Sequence, residues 1–208
     1  MGYSKYKKIK QLKDAFGCQF LSVVLFEGAN IQSIAPSEWL LTSLEYAYNT
    51  PPTNEKSKSE RLVSPILLEI SSKYKTQISF YSGEEINIDA KQNLAGPCDF
   101  FFTFSPPSIL PIAPIISITE AKDEDMEWGI AQCAAQLYAA NLFNIADKKD
   151  LKTLYGCATT GVEWHFMRYD TEKNTFFMDA KPITDLAVAL GVWHHILQIF
   201  TKKQPIIK

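Results

Sequence analysis

The feature that most constrains this chain is a pair of adjoining runs. Residues 115–121, IISITEA, are dense in β-branched apolar residues, which fit a pleated, half-buried surface. Residues 125–143, DMEWGIAQCAAQLYAANLF, are rich in alanine and other helix formers. Beyond them, TLYGCATTGVEWHFMRYD and TFFMDA alternate as strands do. A strong strand, a long helix and further strands predict an α/β domain, with a mixed sheet flanked by helices.

The remaining segments extend that pattern. Residues 37–49, SEWLLTSLEYAYN, read as a helix with Ser37 as N-cap. The polar linker TPPTNEKSKS follows. ERLVSPILLEISSKY then carries Leu62, Ile66 and Ile70 at helical spacing. Ser59 is its expected N-cap, and Pro65 predicts a kink or a late start. TQISFYSGEEINID predicts a hairpin centred on Ser82 and Gly83, and CDFFFTFS a strand. SPPSILPIAP, with four prolines, predicts a loop. TDLAVALGVWHHILQIF closes the pattern as a helix whose broad apolar face suits either the core or a homodimer surface. One domain is expected over residues 1–208. Its core spans residues 59–165, with helices in residues 1–50 and the C-terminal strands and helix as extensions.

Composition narrows the function classes. A net charge of −2 is not that of a protein held to nucleic acid by bulk positive charge. Such binding needs a local basic surface, and Lys5, Lys7, Lys8, Lys10 and Lys13 offer one. The ordinary expectation for that run is a solvated, partly frayed segment. Cys18, Cys98, Cys133 and Cys157 are widely spaced, so neither a zinc site nor a disulfide framework is expected. A reducing cytoplasm fits that usage. No secretory signal and no membrane span are expected, since no apolar run reaches about 18 residues.

The strand IISITEA ends in chemistry. Successive strand side chains alternate between faces, so Glu120 and Lys122 share one face. Asp99 opens the strand DFFFTF. If the two strands are neighbours, Asp99 and Glu120 converge at one sheet edge, where two carboxylates repel each other unless a cation joins them. Mg²⁺, or Mn²⁺ in its place, accepts one or two carboxylates, water and phosphate oxygens. A nearby lysine orients the attacking water or offsets developing charge. Taken alone, Glu-x-Lys at a strand end is more often a surface ion pair contributing roughly 0–1 kcal/mol.

Together these segments resemble the restriction-endonuclease-like, or PD-(D/E)xK, nuclease superfamily. Its core runs helix, three strands, helix, strand. The resemblance covers residues 59–144. It implies that Asp99, in GPCDFFF, and Glu120, in ITEAK, bind a divalent metal, and that Lys122 positions water. SERLVSPILLEI resembles the preceding helix in the nuclease domain of type I restriction subunits, which implies a supporting metal-site role for Glu60. Glu69 is its competitor. RecB-like branches add a glutamine on the following helix, which implies Gln132, with Gln136 as the alternative. Two features depart from the family pattern: Cys98 separates Pro97 from Asp99, and the stretch from Asp99 to Glu120 is long and proline-rich. The implied activity is metal-dependent hydrolysis of nucleic acid, DNA first, as an endo- or exonuclease. The alternatives are a catalytically silent nucleic-acid- or protein-binding domain of the same fold, and a structural domain in which Glu120 and Lys122 merely pair.

Other candidates have plainer readings. Asp123, Glu124, Asp125 and Glu127 are expected to cap the following helix, since acidic groups suit a helix N-terminus. His165, His194 and His195 are expected to be structural. No phosphate loop of the GxxxxGK type and no nucleophile motif occurs.

Overall fold

The computed structural model describes residues 2–122 and 125–202. Seven strands form one mixed sheet: β1 (Gln19–Val23), β2 (Ser79–Ser82), β3 (Phe100–Thr103), β4 (Ile115–Ala121), β5 (Thr153–Thr159), β6 (Trp164–Asp170) and β7 (Thr175–Asp179). Their order across the sheet is β1-β7-β6-β5-β4-β3-β2. The expected mixed sheet flanked by helices is therefore present.

Its centre follows from local chemistry. All seven residues of β4 are buried, as a β-branched run in the middle of a sheet requires. β4 pairs antiparallel with β3 and parallel with β5. The parallel pairing needs a crossover, which α5 (Met126–Ala146) supplies. The β3/β4 register shifts between Phe102, opposite Ser117, and Thr103, opposite Ile115, so Ile116 has no partner. An extra residue there turns Ile116 toward the cluster of Phe100 and Phe102.

Helices cover both faces. On one side lie α2 (Glu38–Asn49), α4 (Ser64–Ser72) and α6 (Leu186–Thr201), packed through Leu40, Ile66, Leu67 and Trp193 onto Phe102 and Phe166. The apolar face of α6 is thereby covered by the sheet. On the other side lie α5 and α1 (Ile9–Phe16), over Phe101, Ile118 and Tyr169. α5 rides close to the sheet: a Cβ on Gly156 of β5 would lie 2.5 Å from Leu137 Cδ1. No helix among the described residues is long and apolar enough to cross a membrane.

Several local expectations need correction. The helix after the linker starts earlier than Ser59. It begins as α3 (Glu55–Lys58), with Asn54 as N-cap: Asn54 Oδ1 accepts from Ser57 N at 2.9 Å. It continues through a π-helical turn, Ser59–Val63, into α4. Ser59 is helical there, not a cap, and the widened turn precedes Pro65, which has no N–H to give. The expected hairpin about Gly83 also differs. β2 pairs with β3, whereas residues after Gly83 fold back on 94–97 through Ile86 N to Gly96 O and Ile88 N to Leu94 O. Gly83, at φ 72°, bonds through its N–H to the carbonyls of Cys98 and Asp99, and so ties the turn to the start of β3. β1 was not expected: its exposed edge residues lack alternation, and parallel pairing with β7 makes it a strand.

Two caps match expectation. Ser37 Oγ accepts from Leu40 N at 3.2 Å. Asp125 accepts from Trp128 N at 3.0 Å, with Glu127 in the first turn. Asp123 and Glu124 lie outside the described residues.

Candidate active site

Glu120 stands near the end of β4 on the face covered by α5. It is 1% exposed. Each of its oxygens has a partner. Gln136 Nε2, from α5, donates to Oε2 at 2.8 Å. Lys122 Nζ lies 2.9 Å from Oε1. The pair is therefore buried, not the surface pair that Glu-x-Lys alone suggests.

Lys122 is held at both ends. Its backbone N–H donates to Thr159 O at 2.8 Å, which carries the β4/β5 ladder one residue past the strand. Its ammonium also reaches the Glu55 carboxylate, 3.4 Å away. The ammonium sits 5.1 Å from the Trp128 ring centroid, within cation–π range. The stem runs under Gly129, where a Cβ would come within 2.6 Å of Lys122 Cγ. Glycine at this point of α5 makes room for the lysine.

Asp99 joins from the neighbouring strand. Phe100 is opposite Thr119, so Asp99 falls beside the end of β4. Its Oδ2 accepts from Ala121 N at 2.8 Å, the peptide nitrogen directly after Glu120. The expected convergence of Asp99, Glu120 and Lys122 is thus a feature of the fold.

The electrostatics follow from burial. Desolvation and the nearby Asp99 charge push the Glu120 carboxyl up to about 8, against the pull of Lys122 and Gln136. Burial likewise raises Asp99, opposed by the Ala121 N–H bond and Lys122. Burial works against the Lys122 ammonium, but Glu120, Glu55 and Asp99 outweigh it and hold its pKa above the ordinary lysine value. Asp99, Glu120 and Glu55 thus surround one ammonium.

Glu60 and Glu69 stand elsewhere. Glu60 is exposed and pairs with Lys56 at 3.2 Å. Glu69 is buried against α2, accepting from Ser37 N at 3.0 Å and from Ser37 Oγ. It fixes the start of α2 and is not a solvated helix residue. The carboxylate that this region sends to Lys122 is Glu55, which sequence reasoning missed. Its signal was Asn54, a cap residue three positions before Ser57, which moves the helix start to Glu55. Of the two glutamines, Gln136 contacts Glu120. Gln132, one turn earlier, has its Oε1 buried without a hydrogen-bond partner among the described residues. It lines a cavity of about 370 Å³ with Tyr3, Asn87 and Pro97.

The histidines serve packing. His194 shares hydrogen bonds with Tyr74 OH at 2.6 Å and Gln198 Nε2 at 2.7 Å. His195 meets Phe26 edge-on, and His165 lies 3.6 Å from Glu163. Among the described residues no group of three or more His, Cys, Asp or Glu side chains is arranged to enclose a metal. The Asp99 and Glu120 donor set still suits Mg²⁺, which binds through one or two carboxylates and keeps several waters. Compared with known proteins, the chain matches no family model, and no curated protein matches it.

Proposed function

We propose that this chain is a metal-dependent phosphodiesterase acting on nucleic acid, DNA first, with a restriction-endonuclease-like core. One observation carries this reading. A buried Glu120–Lys122 pair and the Asp99 carboxylate meet at one edge of two adjacent strands, and α5 crosses over from there to the parallel strand β5. A buried ion pair is costly unless well compensated, and carboxylates perturbed by burial and gathered at one edge mark a candidate functional site.

Asp99 and Glu120 would hold the divalent cation, Mg²⁺ or Mn²⁺. When bound, such a cation supplies polarisation of a phosphoryl oxygen and a lowered pKa for water. Lys122 positions the attacking water and stabilises negative charge on the phosphate. Gln136 fixes the Glu120 rotamer, and Glu55 steers the Lys122 ammonium. Glu60, to which the resemblance gives a supporting role, has its exposed carboxylate on Lys56. The four buried free thiols suit a reducing cytoplasm.

A second reading has its own support. Lys122 lies directly on one Glu120 oxygen, and Gln136 takes the other. Both suit a silent domain of the same fold that binds nucleic acid or protein, alone or as a homodimer. Mn²⁺ titration followed by electron paramagnetic resonance separates the two. Stoichiometric binding that is lost in Asp99→Asn and Glu120→Gln supports the enzyme. Binding that is absent, or unchanged in both variants, favours the silent domain.

A further inference from the structure

The lysine-rich N-terminal segment does not trail away from the domain. Tyr3 and Tyr6 are buried, and their hydroxyls donate to Ile86 O and Gln92 O, each at 2.5 Å. The side-chain Oε1 of Gln11 accepts from Lys7 N at 2.7 Å and Lys8 N at 2.9 Å, which caps α1. Between these anchors Lys5, Lys7 and Lys8 are exposed. Lys7 Nζ sits 4.8 Å from the centroid of the Trp128 ring, the same ring that Lys122 approaches at 5.1 Å. One indole thus joins an exposed ammonium to the buried one in the candidate centre. The Nε1 of that indole and Oε1 of Gln132, one helical turn along α5, are buried without hydrogen-bond partners among the described residues.

Building on the nuclease reading above, we propose that Lys5, Lys7 and Lys8 form a phosphate-binding strip. It would hold the nucleic-acid backbone next to the bond presented to Lys122. In a chain of net charge −2, affinity for a polyanion has to come from a local basic surface, and this is one whose backbone is fixed at the site. Lysine ammonium groups act as point charges on phosphates, so the strip gives affinity without sequence choice.

The test measures binding without cleavage. Anisotropy of fluorescein-labelled single-stranded and duplex oligonucleotides is followed in EDTA over 50–200 mM salt. The proteins are the wild type, the triple variant Lys5→Gln, Lys7→Gln, Lys8→Gln, and a control, Lys148→Gln with Lys149→Gln, at the other end of α5. The triple variant is expected to bind about tenfold more weakly or worse at low salt, and to lower the log–log salt slope by about two to three. The control is expected to keep the wild-type slope. An unchanged slope in the triple variant overturns the strip and leaves the nuclease reading standing if the variant still cleaves. Equal losses in the triple variant and the control overturn it as non-specific. A wild type that binds no oligonucleotide overturns it together with the reading beneath it. Lysine-dependent binding to anionic phospholipid vesicles with none to oligonucleotides overturns it in favour of a membrane surface.

Discussion

Gln136 Nε2 donates to Glu120 Oε2 at 2.8 Å, from α5, the helix that crosses over between the parallel strands β4 and β5. The glutamine therefore ties the orientation of the candidate ligand to the topology of the sheet. The bond also favours the charged carboxylate, working against burial. Gln136→Leu is expected to raise the Glu120 pKa further and shift the acidic limb of any pH–activity profile to higher pH. Stability should fall by about 1.5–3 kcal/mol, as for a hydrogen bond to a charged group. Gln132→Leu is expected to leave that limb in place. Profiles of both variants, with chemical denaturation, check this.

The Glu120–Lys122 pair gives a second expectation. Removing one member of a buried pair typically costs about 3–5 kcal/mol. Glu120→Ala should approach that range, because Lys122 loses its 2.9 Å partner and is left with the half-exposed Glu55 and the charge of Asp99. Lys122→Met should cost less, since Glu120 can take up a proton instead. A double-mutant cycle by urea denaturation is expected to give a coupling above about 1 kcal/mol, the upper end for surface pairs. A coupling near zero would mean the pair is solvated.

Gly129 supplies a steric test. A Cβ there would stand 2.6 Å from Lys122 Cγ, so Gly129→Ala has to move the lysine or the helix. A loss of about 1–3 kcal/mol is expected from overpacking, together with loss of activity. Gly28→Ala serves as comparison: it lies in open space at φ 74°, where alanine is strained but the site is untouched.

The pH dependence has a definite sign. Burial and the Asp99 charge push the Glu120 carboxyl up to about 8 in the fold, well above its value in the unfolded chain. The native state therefore binds the extra proton between those values, and stability without metal falls as pH rises through that window. A divalent cation competes with that proton. Mn²⁺ affinity is expected to rise from pH 6 to about 8 and then level off, with Glu120→Gln losing the dependence. Titration calorimetry in buffers of differing ionisation heat reads the proton release directly.

Much of the fold was legible in the sequence because periodicity records burial. IISITEA coincides with β4, and the alanine-rich run falls within α5. Strand alternation put Glu120 and Lys122 on one face, and Asp99 meets them because β3 does lie beside β4, the condition on which that expectation rested. What escaped depended on contacts distant in sequence. β1 is a strand only because β7 lies beside it. The residues after Gly83 pair with 94–97 and not across the turn. Glu55 came into the site because Asn54 starts the helix before Ser59 and a π-helical turn leads on to Pro65. Choosing Gln136 over Gln132 required the depth of α5 on the sheet, which i,i+4 spacing does not encode.

The most direct measurement is cleavage of plasmid, single-stranded DNA and RNA with Mg²⁺ or Mn²⁺. Wild type is compared with Asp99→Asn, Glu120→Gln and Lys122→Ala, each first shown to be folded. The expected result is metal-dependent cleavage by the wild type that falls by about 10²–10³ or more in each variant, the loss typical of removing one group that stabilises developing charge. Cleavage that persists in the three variants, or none by the wild type on any substrate, would contradict a nuclease centre built on Asp99, Glu120 and Lys122.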